Sequence, residues 1–457
     1  MNGEAVLGID IGTTSIAAQT VSLETGDALH TYGFDHEAEV MLDGYPDAFA
    51  ADADRLVETA RAIAERALAD YPEIAAIGLS GQMHGVVCCD GRLRTLSPLY
   101  TWQNAFGERV YDGKTLCESL RELTGESVPT GYGIVTLYAL GRLGLLPEGT
   151  AQIATIADLA ASRLCGLEAP VLHPTMASSL GLYDIEKGVF CPSAYRIAGD
   201  VRLPEIRDGY RVIGEFCCGG RSIPVAEACG DNQLGVFGSL AHDGMLLLSV
   251  GTSSQVSIVT DGAEPLPGCE VRPYFDGKRL LSGSGLCGGR AYAALAELVA
   301  DVVAAFAPRP EKHCVYEYLN RLADEPDDAP LAVSTRFCGT REEPSLRGHI
   351  SGISLENFDM RHLSAGVLRG IAEELHTMFL AMAQPGRRYA MAASGNTLRR
   401  CPALRRSCEE IFSGALDGDG LLLPRHTEEP AYGAALYASI SAGLTTRERA
   451  RGLIRYL

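Results

Sequence analysis

The sequence predicts an α/β protein built from two similar domains. Two observations carry this prediction: a strand–turn–strand segment near the N-terminus returns about half a chain later, and strands alternate with helices along the first half. A repeat at such a spacing indicates two related domains, each of which offers one hairpin to a shared ligand. The succession of strand, helix and strand favours the α/β class.

The first copy is a predicted hairpin with an unusual turn. Apolar residues 5–9 lead into Gly12-Thr13-Thr14-Ser15, and apolar residues 16–21 leave it. Two apolar runs joined by a glycine-containing turn are typical of a β-hairpin. Gly12 lets the backbone approach a bulky ligand, and the hydroxyl and N–H groups can donate to phosphate oxygens. The segment is either a phosphate-binding hairpin or simply a turn, and it is not a Walker loop because no Gly-Lys-Ser/Thr follows.

Asp10 lies at the end of the first predicted strand. A carboxylate there can accept hydrogen bonds from water on Mg2+, an ion that usually keeps several of its waters. In the second copy residues 246–250 lead to Gly251-Thr252-Ser253-Ser254, and Ser249 lies two residues before the glycine. The two halves are therefore not equivalent, because only the first copy offers a carboxylate to a metal.

Composition excludes several classes of function. The chain has 457 residues, 46% hydrophobic and 21% charged, with a formal net charge of −19. That charge argues against a general nucleic-acid binder, which needs a basic face. No apolar run reaches the ~18 residues of a membrane span, and no signal peptide is visible. The fourteen cysteines are scattered without a Cys-x-x-Cys motif, so we expect reduced thiols in a cytoplasmic protein with neither membrane nor nucleic-acid partners.

The first half, residues 1–241, is predicted to form one domain, and residues 242–457 the other, with the boundary at His242-Asp243-Gly244. Asp52 or Asp54 can cap a helix whose apolar residues repeat at helical spacing up to Leu68. Short apolar strands follow at 74–79 and 222–228, and a helix at 232–240. Residues 30–51 are predicted to be irregular.

The second half begins with the repeated hairpin and continues with alternating elements. The pattern predicts an exposed connection at 308–330, and the predicted helices and strands are a strand near Leu280, helices at 290–306, 363–382 and 402–412, a strand at 389–393, and a last helix that begins near Glu428.

Asp231 is the strongest single candidate for chemistry. It follows a predicted strand and precedes a predicted helix, the place where an open α/β sheet presents functional groups. Phosphoryl transfer to a hydroxyl needs positioned phosphates, Mg2+ and a carboxylate that accepts the hydroxyl proton. The alternative is that Asp231 merely caps the following helix.

Several polar or flat side chains could bind a polyol. Gln82-Met83-His84 lies on a strand-to-strand turn, and Trp102 is followed by Gln103 and Asn104. Gln and His can bond several hydroxyls, and a tryptophan can stack on a sugar face. The competing interpretations are a satisfied turn histidine and a core tryptophan.

Two glycine-containing loops of the second half could lie against a nucleotide. They are Gly288-Gly289 and Gly395-Asn396. Each could equally be a tight turn.

Taken in order, these motifs resemble the FGGY carbohydrate kinases, a branch of the actin-like ATPase superfamily. The motifs are residues 10–15, 81–85, 230–233 and 249–253, and the Gly395-Asn396 loop followed by residues 428–435. The resemblance implies an α/β fold of two actin-like (ribonuclease H-like) domains, each a mixed sheet flanked by helices, with ATP in the cleft between them and Mg2+ near Asp10.

The resemblance also implies roles for individual residues. Asp231 matches the family's catalytic base, and Asp10 the carboxylate that binds Mg2+ through water. The nucleotide-binding positions are Gly12, Thr13, Thr14, Ser15, Gly251, Thr252, Ser253, Gly289, Gly395 and Asn396. The substrate-binding positions are Gln82, Met83, His84, Trp102, Asn104, Asp231 and Asn232.

The sugar is the least determined part of this prediction. Residues 98–103, 130–133, 177–181, 272–276 and 337–341 are similar to family members that phosphorylate the seven-carbon ketose sedoheptulose. Residues 82–85 are shared with kinases of xylulose, so a pentulose kinase is the alternative. Asn104 stands where an aspartate is expected; its amide can bond a hydroxyl but carries no charge, which leaves the sugar open.

Two other classes of function share this scaffold. One is a nucleotide-gated binding protein or chaperone, which would need a peptide- or filament-binding extension. The other is a sugar-sensing regulator, which usually carries a DNA-binding segment before a strand such as the one that contains Val6. The favoured expectation is an ATP-dependent ketose kinase with a small-molecule sugar as its partner, and the sequence leaves room for a homodimer.

Overall fold

The computed structural model describes residues 4–262, 268–325, 329–340, 343 and 345–457. They divide into two compact units. The first unit comprises the described residues up to Ala241 together with Arg272–Gly277 and Glu428–Arg455. The second comprises the described residues of His242–Val271, Lys278–Thr427 and Tyr456–Leu457. Each unit holds a mixed β-sheet with helices, so the predicted α/β class is confirmed.

The strands are numbered in chain order. They are β1 Ala5–Ile11, β2 Ser15–Ser22, β3 Ala28–Asp35, β4 Glu39–Leu42, β5 Tyr45–Ala51, β6 Ile74–Gly81, β7 Val87–Cys89, β8 Leu99–Tyr100, β9 Val110–Tyr111, β10 Lys114–Thr115, β11 Gln152–Ala154, β12 Val171–Leu172, β13 Tyr183–Asp184, β14 Val189–Phe190, β15 Glu205–Ile206, β16 Val212–Cys218, β17 Arg221–Ala226, β18 Cys229–Gly230, β19 Leu246–Val250, β20 Ser254–Thr260, β21 Glu270–Pro273, β22 Arg279–Gly285, β23 Ala332–Val333, β24 Ile350–Ser351 and β25 Met391–Ser394.

The helices are numbered in the same way. They are α1 Ala53–Asp70, α2 Leu116–Thr124, α3 Gly133–Leu143, α4 Ile156–Leu164, α5 Pro174–Leu180, α6 Pro192–Ala198, α7 Asp231–Ser239, α8 Gly289–Ala304, α9 Lys312–Ala323, α10 Met360–Met382, α11 Asn396–Arg400, α12 Pro402–Ile411, α13 Glu429–Ser441 and α14 Arg447–Arg451, with short 3-10 turns at Phe106–Glu108 and Phe275–Gly277. Within the described part of the chain, none of these helices is both long and apolar enough to cross a membrane.

The main sheet of the first unit has the strand order β16-β17-β6-β1-β2-β3, and β18 also pairs with β6. The central strand β1 runs antiparallel to β2, which makes hairpin 1, and parallel to β6. Every residue of β1 except Asp10 is buried, as expected for a central strand covered on both faces. The predicted first hairpin is confirmed, and its turn lies between Ile11 and Ser15.

The sheet of the second unit repeats this arrangement. Its order is β21-β22-β20-β19-β25. The strand β19 runs antiparallel to β20, which makes hairpin 2, and parallel to β25. The long helix α10 packs against β20 and β22. The predicted sequence repeat therefore corresponds to a repeat of strand pairing.

Helix α13 packs directly on the sheet of the first unit, because glycines of the sheet have no side chain that would keep the helix away. A Cβ atom added at Gly8 would come within 1.8 Å of the Ala431 carbonyl oxygen, and one at Gly78 within 2.1 Å of the Ala434 oxygen. Residues without a side chain on β1 and β6 therefore allow this close packing. The sequence-based division of the chain placed residues 428–455 in the second domain, whereas in the structure they belong to the first unit.

Three predictions about local structure were wrong. Residues 30–51 contain β3, β4 and β5 rather than irregular chain, because strands with many exposed residues give only a weak apolar pattern. The predicted connection at 308–330, of which residues 326–328 lie outside the described part of the chain, contains α9, which buries only Val315 and Leu319. The helix that begins at Glu429 is followed by one more, α14.

Other local predictions are confirmed. Asp52 caps α1 by accepting a hydrogen bond from the Arg55 amide at 3.0 Å, and the predicted apolar face of the helix is buried. The region around Asp231 forms the predicted strand and helix as β17, β18 and α7.

Candidate active site

Asp10 lies on β1, where its register partner on the parallel strand β6 is Ser80. Burial and the negative charges of Asp231 and Glu428 raise the pKa of Asp10 to about 7, and the nearby Ser80 hydroxyl partly offsets this. The carboxylate oxygen Oδ1 of Asp10 is buried and has no hydrogen-bond partner among the described residues. A buried carboxylate with an unused oxygen is suited to accept hydrogen bonds from the waters of a bound cation.

Asp231 is the first residue of α7 and directly follows β18. Gly230 pairs with Gly81 at the end of β6, so the ends of β1, β6 and β18 lie side by side in one sheet. The Asp231 oxygen Oδ1 accepts a hydrogen bond from the Asn232 amide at 2.7 Å. The helix cap is Gly230, without a side-chain capping bond, so Asp231 does not serve as the N-cap that the alternative interpretation required.

The surroundings of Asp231 bring the pKa of its carboxyl group close to neutral pH. Burial raises its pKa to about 6, while the Asn232 N–H and the positive charge of Arg272 act in the opposite direction. The Arg272 guanidinium donates a hydrogen bond to Asn232 Oδ1 at 2.8 Å. Arg272 is a site residue that sequence reasoning missed, since 40 positions separate it from Asn232 and no pattern joins them.

Glu428 and Ser80 were also missed as members of this group. Both act on Asp10 through charge or a hydroxyl, and both come from distant parts of the chain. Glu428 begins the motif at residues 428–435, for which the sequence predicted a helix but no role in the site.

The turn after β6 is tied to hairpin 1 by Gln82. Its backbone N–H donates to the Ile11 carbonyl at 2.9 Å, and its side-chain Nε2 donates to the Gly12 carbonyl at 3.2 Å. The Gln82 oxygen Oε1 is buried and has no partner among the described residues. This leaves one strong acceptor available next to the hairpin.

His84 is held in a strained backbone conformation. Its φ is +72°, its amide donates to Ser179 Oγ at 3.2 Å, and its ring nitrogen Nδ1 lies 3.0 Å from the Ser179 carbonyl oxygen. The ring also packs against Tyr132, with 4.2 Å between centroids. Strain at a non-glycine residue that is fixed by such contacts is common at functional sites.

Met83 belongs to the core rather than to a polar surface. It is 5% exposed, and a Cβ atom added at Gly230 would lie 3.0 Å from its sulfur. Its contribution to the site is to support the backbone that carries Asp231.

Trp102 is not the core residue that the alternative interpretation proposed. Its side chain is 48% exposed, and its indole Nε1 donates to Thr13 Oγ1 at 3.0 Å. The exposed ring can therefore stack on a ligand while its polar edge holds the turn of hairpin 1.

Asn104 differs from its predicted role. It is fully buried, its Nδ2 donates to the Ala48 carbonyl at 2.8 Å, and its Oδ1 accepts from the Phe106 amide at 3.1 Å. Both polar atoms are used within the loop, so the amide is not presented to a sugar. The amide at this position is accounted for by the fold of the loop.

The turn of hairpin 1 leaves its hydroxyls near the surface. The Gly12 amide donates to the Ser15 carbonyl at 3.0 Å, which closes the turn. Thr13 and Ser15 are half-buried, and Thr14 is exposed. Hydroxyl donors are thus presented beside Asp10.

In the second unit three loops meet at Gly251. The Gly251 amide donates to Ser253 O at 3.0 Å, and the Gly289 amide donates to Gly251 O at 2.9 Å. A Cβ atom added at Gly289 would lie 2.3 Å from Gly251 O. One added at Gly395, whose φ is +84°, would lie 2.5 Å from Val250 O. These loops can exist only with glycine, and they leave Thr252, Ser253 and Asn396 exposed.

Within the described residues, no group of three or more His, Cys, Asp or Glu side chains could by itself hold a metal ion. The carboxylates that surround Asp10 instead fit an ion that keeps most of its water and needs one or two protein carboxylates, as Mg2+ does.

Comparison with known proteins identifies the class. Residues 5–238 match the model of the FGGY family of carbohydrate kinases, N-terminal domain. This match covers half of the chain, and the chain belongs to the FGGY family of carbohydrate kinases. The resemblance stated from the motifs is thereby confirmed. The protein is a sugar phosphotransferase, which uses ATP and a small-molecule sugar.

Individual relatives are more distant. The chain is 26% identical to a human sedoheptulokinase over 451 residues, covering 89% of this chain and 92% of that protein. It is similarly 26% identical to a mouse sedoheptulokinase.

Among solved structures, a xylulose kinase from Rhodospirillum rubrum has a TM-score of 0.81 at 20% identity, covering 99% of this chain and 93% of that chain. A gluconate kinase from Lactobacillus acidophilus has a TM-score of 0.82 at 17% identity, covering 99% and 92%. A Plasmodium falciparum glycerol kinase with ADP has a TM-score of 0.79 at 17% identity, covering 99% and 92%. These likenesses show the actin-like fold that the resemblance implied.

Proposed function

We propose that this kinase transfers the γ-phosphoryl group of ATP to a terminal hydroxyl of a ketose, with sedoheptulose as the first candidate. The similarity to human and mouse sedoheptulokinases along most of the chain supports this choice. Xylulose or another pentulose is the alternative, because solved structures of xylulose kinases share the fold.

The observation that carries the mechanism is the position of Asp231. Its carboxylate lies at the end of β18, is restrained by the Asn232 amide, and has Asp10 as a charged neighbour in the same sheet. In the proposed reaction Asp231 accepts the proton of the attacking hydroxyl as that oxygen bonds to phosphorus. Arg272 holds the Asn232 side chain and keeps the pKa of Asp231 from rising further, so the carboxylate is ionised near neutral pH.

Asp10 is the proposed carboxylate for Mg2+, held through water. When bound, Mg2+ neutralises charge on the phosphate groups as the phosphoryl group leaves. For this role Asp10 must give up its proton, and a nearby cation would lower its raised pKa.

The remaining proposed contacts follow from exposed donors and flat surfaces. Hydroxyls and amides of residues 12–15 bind phosphate oxygens in this proposal, as do those of residues 251–253. Gly289, Gly395 and Asn396 line the nucleotide on the second unit. In this proposal Gln82 Oε1 and His84 bind hydroxyl groups of the sugar, and a face of the sugar stacks against Trp102. Asn232 is a further proposed sugar contact.

The test is release of ADP in a coupled assay with sedoheptulose, xylulose, ribulose, fructose and glycerol in turn. We expect the highest kcat/KM with sedoheptulose and a turnover that depends strictly on added sugar. Highest efficiency with xylulose would replace the sugar assignment. ATP turnover without sugar would favour the nucleotide-gated binding protein, and binding of sugar without turnover would favour the regulator.

The role of Asp231 is tested with Asp231→Asn, which keeps the shape of the side chain. We expect kcat to fall by ~10²–10⁴-fold, the usual cost of losing a general base, with ATP binding little changed. Asp200→Asn is the matched control, since Asp200 is an exposed aspartate of the same unit. Turnover of Asp231→Asn equal to that of Asp200→Asn would exclude Asp231 as the base.

A further inference from the structure

The backbone amide of Gly230, directly before Asp231, is bound by a side chain that the proposed mechanism does not use. The Gly230 N–H donates to Thr175 Oγ1 at 3.1 Å. Thr175 is fully buried, so water cannot replace this acceptor. The hydroxyl therefore fixes the last peptide before the proposed base.

Thr175 is itself held by His173 at the start of α5. His173 is the N-cap, and its Nδ1 accepts from the Thr175 amide at 3.2 Å and lies 3.0 Å from the Thr175 hydroxyl oxygen. Burial lowers the pKa of His173 to about 3, so the ring is neutral and Nδ1 is an acceptor. The Thr175 hydroxyl can then donate a hydrogen bond to Nδ1 and accept one from the Gly230 N–H.

The surroundings leave little freedom to this arrangement. The His173 ring packs against both Phe275 and Tyr437, with centroids at 5.4 and 5.9 Å. On the side of Gly230, an added Cβ atom would lie 2.6 Å from Gln233 Oε1. The Gly230 residue therefore lies in a tightly packed position, and its N–H is held by the Thr175 hydroxyl.

We infer that Thr175 is a positioning residue for catalysis, which acts through the Gly230 peptide to place the Asp231 carboxylate, with His173 orienting the Thr175 hydroxyl. The inference rests on the proposed role of Asp231 as the base. Thr175 touches neither sugar nor nucleotide in this account. Its loss misplaces the base without removing a binding contact, so it lowers kcat more than it raises KM.

The experiment compares Thr175→Val with Thr175→Ser in the full-length enzyme. Valine keeps the shape but loses the hydroxyl, and we expect kcat to fall ~10–100-fold while KM for the sugar and for ATP changes less than ~3-fold. Serine keeps the hydroxyl and is expected to restore kcat to within ~3-fold of the wild type. Thr136→Val, at a buried threonine of α3 in the same unit, is the control and leaves kcat unchanged.

A purely structural role would give a different pattern. Thr175→Val would then lower the melting temperature while kcat per folded molecule stayed at the wild-type value, and that result overturns the inference. So does a serine variant as slow as the valine variant.

A second variant covers the case in which Thr175→Val does not fold. His173→Asn keeps a capping side chain for α5 but removes the ring that orients the hydroxyl. We expect a fall in kcat of ~3–10-fold at unchanged KM, and unchanged kcat overturns the inference. Asp231→Asn is measured in parallel: full turnover in that variant refutes the proposed base, whereas loss of turnover there with normal Thr175 variants refutes the positioning role alone.

Discussion

Hairpin 1 and hairpin 2 have the same construction but different chemistry. In each, the first strand runs antiparallel to the second and parallel to a third strand, β6 or β25, that has a serine at or next to its end. Asp10 pairs in register with Ser80, and Ser249 pairs in register with Ser394. The same position thus holds a carboxylate in one unit and a hydroxyl in the other.

The surroundings of the two hairpins extend this difference. Hairpin 1 lies beside the titratable groups Asp231 and Glu428, which raise the pKa of Asp10. Hairpin 2 is surrounded by close-packed loops, in which Gly289 and Gly395 approach its backbone. The comparison teaches that a repeated scaffold can keep its strand register while one copy specialises in charge and the other in close backbone approach.

The most direct way to break the comparison is to make hairpin 1 resemble hairpin 2. Asp10→Ser places in β1 the residue that β19 has at this position. We expect kcat to fall by ~10²–10⁴-fold, because the serine carries no charge to bind the water shell of a cation. The measurement is sugar-dependent ADP release at several Mg2+ concentrations. Wild-type turnover in Asp10→Ser would mean that the carboxylate in hairpin 1 has no catalytic function.

A second difference between the units concerns packing. Gly8 on β1 pairs with Gly78, whereas Leu247, at the same distance from the turn of hairpin 2, pairs with Ala392. Gly8→Ala would drive a methyl group into α13, since the added Cβ lies 1.8 Å from Ala431 O. We expect a loss of about 1–3 kcal/mol in the free energy of unfolding, measured by urea denaturation.

The control for this change is Gly33→Ala on β3. A Cβ atom there has nothing within 4 Å, and we expect no loss of stability. Equal destabilisation by both substitutions would show that α13 does not require the glycine at position 8.

The pH dependence of kcat tests the chemistry around hairpin 1, because Asp10 and Asp231 both lie in the first unit. The base must be ionised, and burial raises the pKa of Asp231 to about 6, so kcat falls as pH decreases through this value. In Asp10→Ser the acid limb should stay near this value, because burial, the Asn232 N–H and Arg272 set the pKa of Asp231, and Asp10, with a pKa of about 7, is mostly uncharged where Asp231 titrates. The check is the pH profile of kcat for both proteins, and an acid limb near the ordinary aspartate value in the wild type contradicts this account.

The smallest expected effect concerns the link between Trp102 and hairpin 1. Trp102→Phe keeps an aromatic face but removes the donor to Thr13 Oγ1. A single hydrogen bond contributes a net ~0.5–1.5 kcal/mol, so we expect KM for the sugar to rise about 2–10-fold. Thr13→Val removes the other partner, and the double variant should be no worse than either single one. Additive losses would mean that the bond has no role in sugar binding.

The sequence predicted those parts of the fold that depend on continuous apolar runs. Both hairpins and α1 belong to these parts. Central strands give continuous apolar runs, and a helix buried on one face gives apolar residues at helical spacing. Strands β3 to β5 and helix α9 were missed because strands with many exposed residues and a mostly exposed helix leave almost no periodic apolar pattern.

The candidate site was predicted where its residues are adjacent in sequence. Asp10 lies near the end of one strand and Asp231 directly follows another, and the sequence predicts a strand before each of them. Arg272 and Glu428 could not be found in this way, because they reach the site through long-range folding of the first unit. Asn104 was assigned to the sugar because its polarity was visible, whereas its burial depends on how the loop folds.

The central claim is that a carboxylate at the position of Asp10 supports catalysis in hairpin 1, whereas one at the equivalent position of hairpin 2, Ser249, does not. Its most direct test is kcat for the double variant Asp10→Ser with Ser249→Asp, which moves the carboxylate to the equivalent position of hairpin 2. We predict that the double variant is as slow as Asp10→Ser, within ~3-fold, because Asp10 belongs to the same unit as Asp231 and Glu428, the carboxylates beside which it would hold the cation. Recovery of kcat toward the wild-type value would contradict the account.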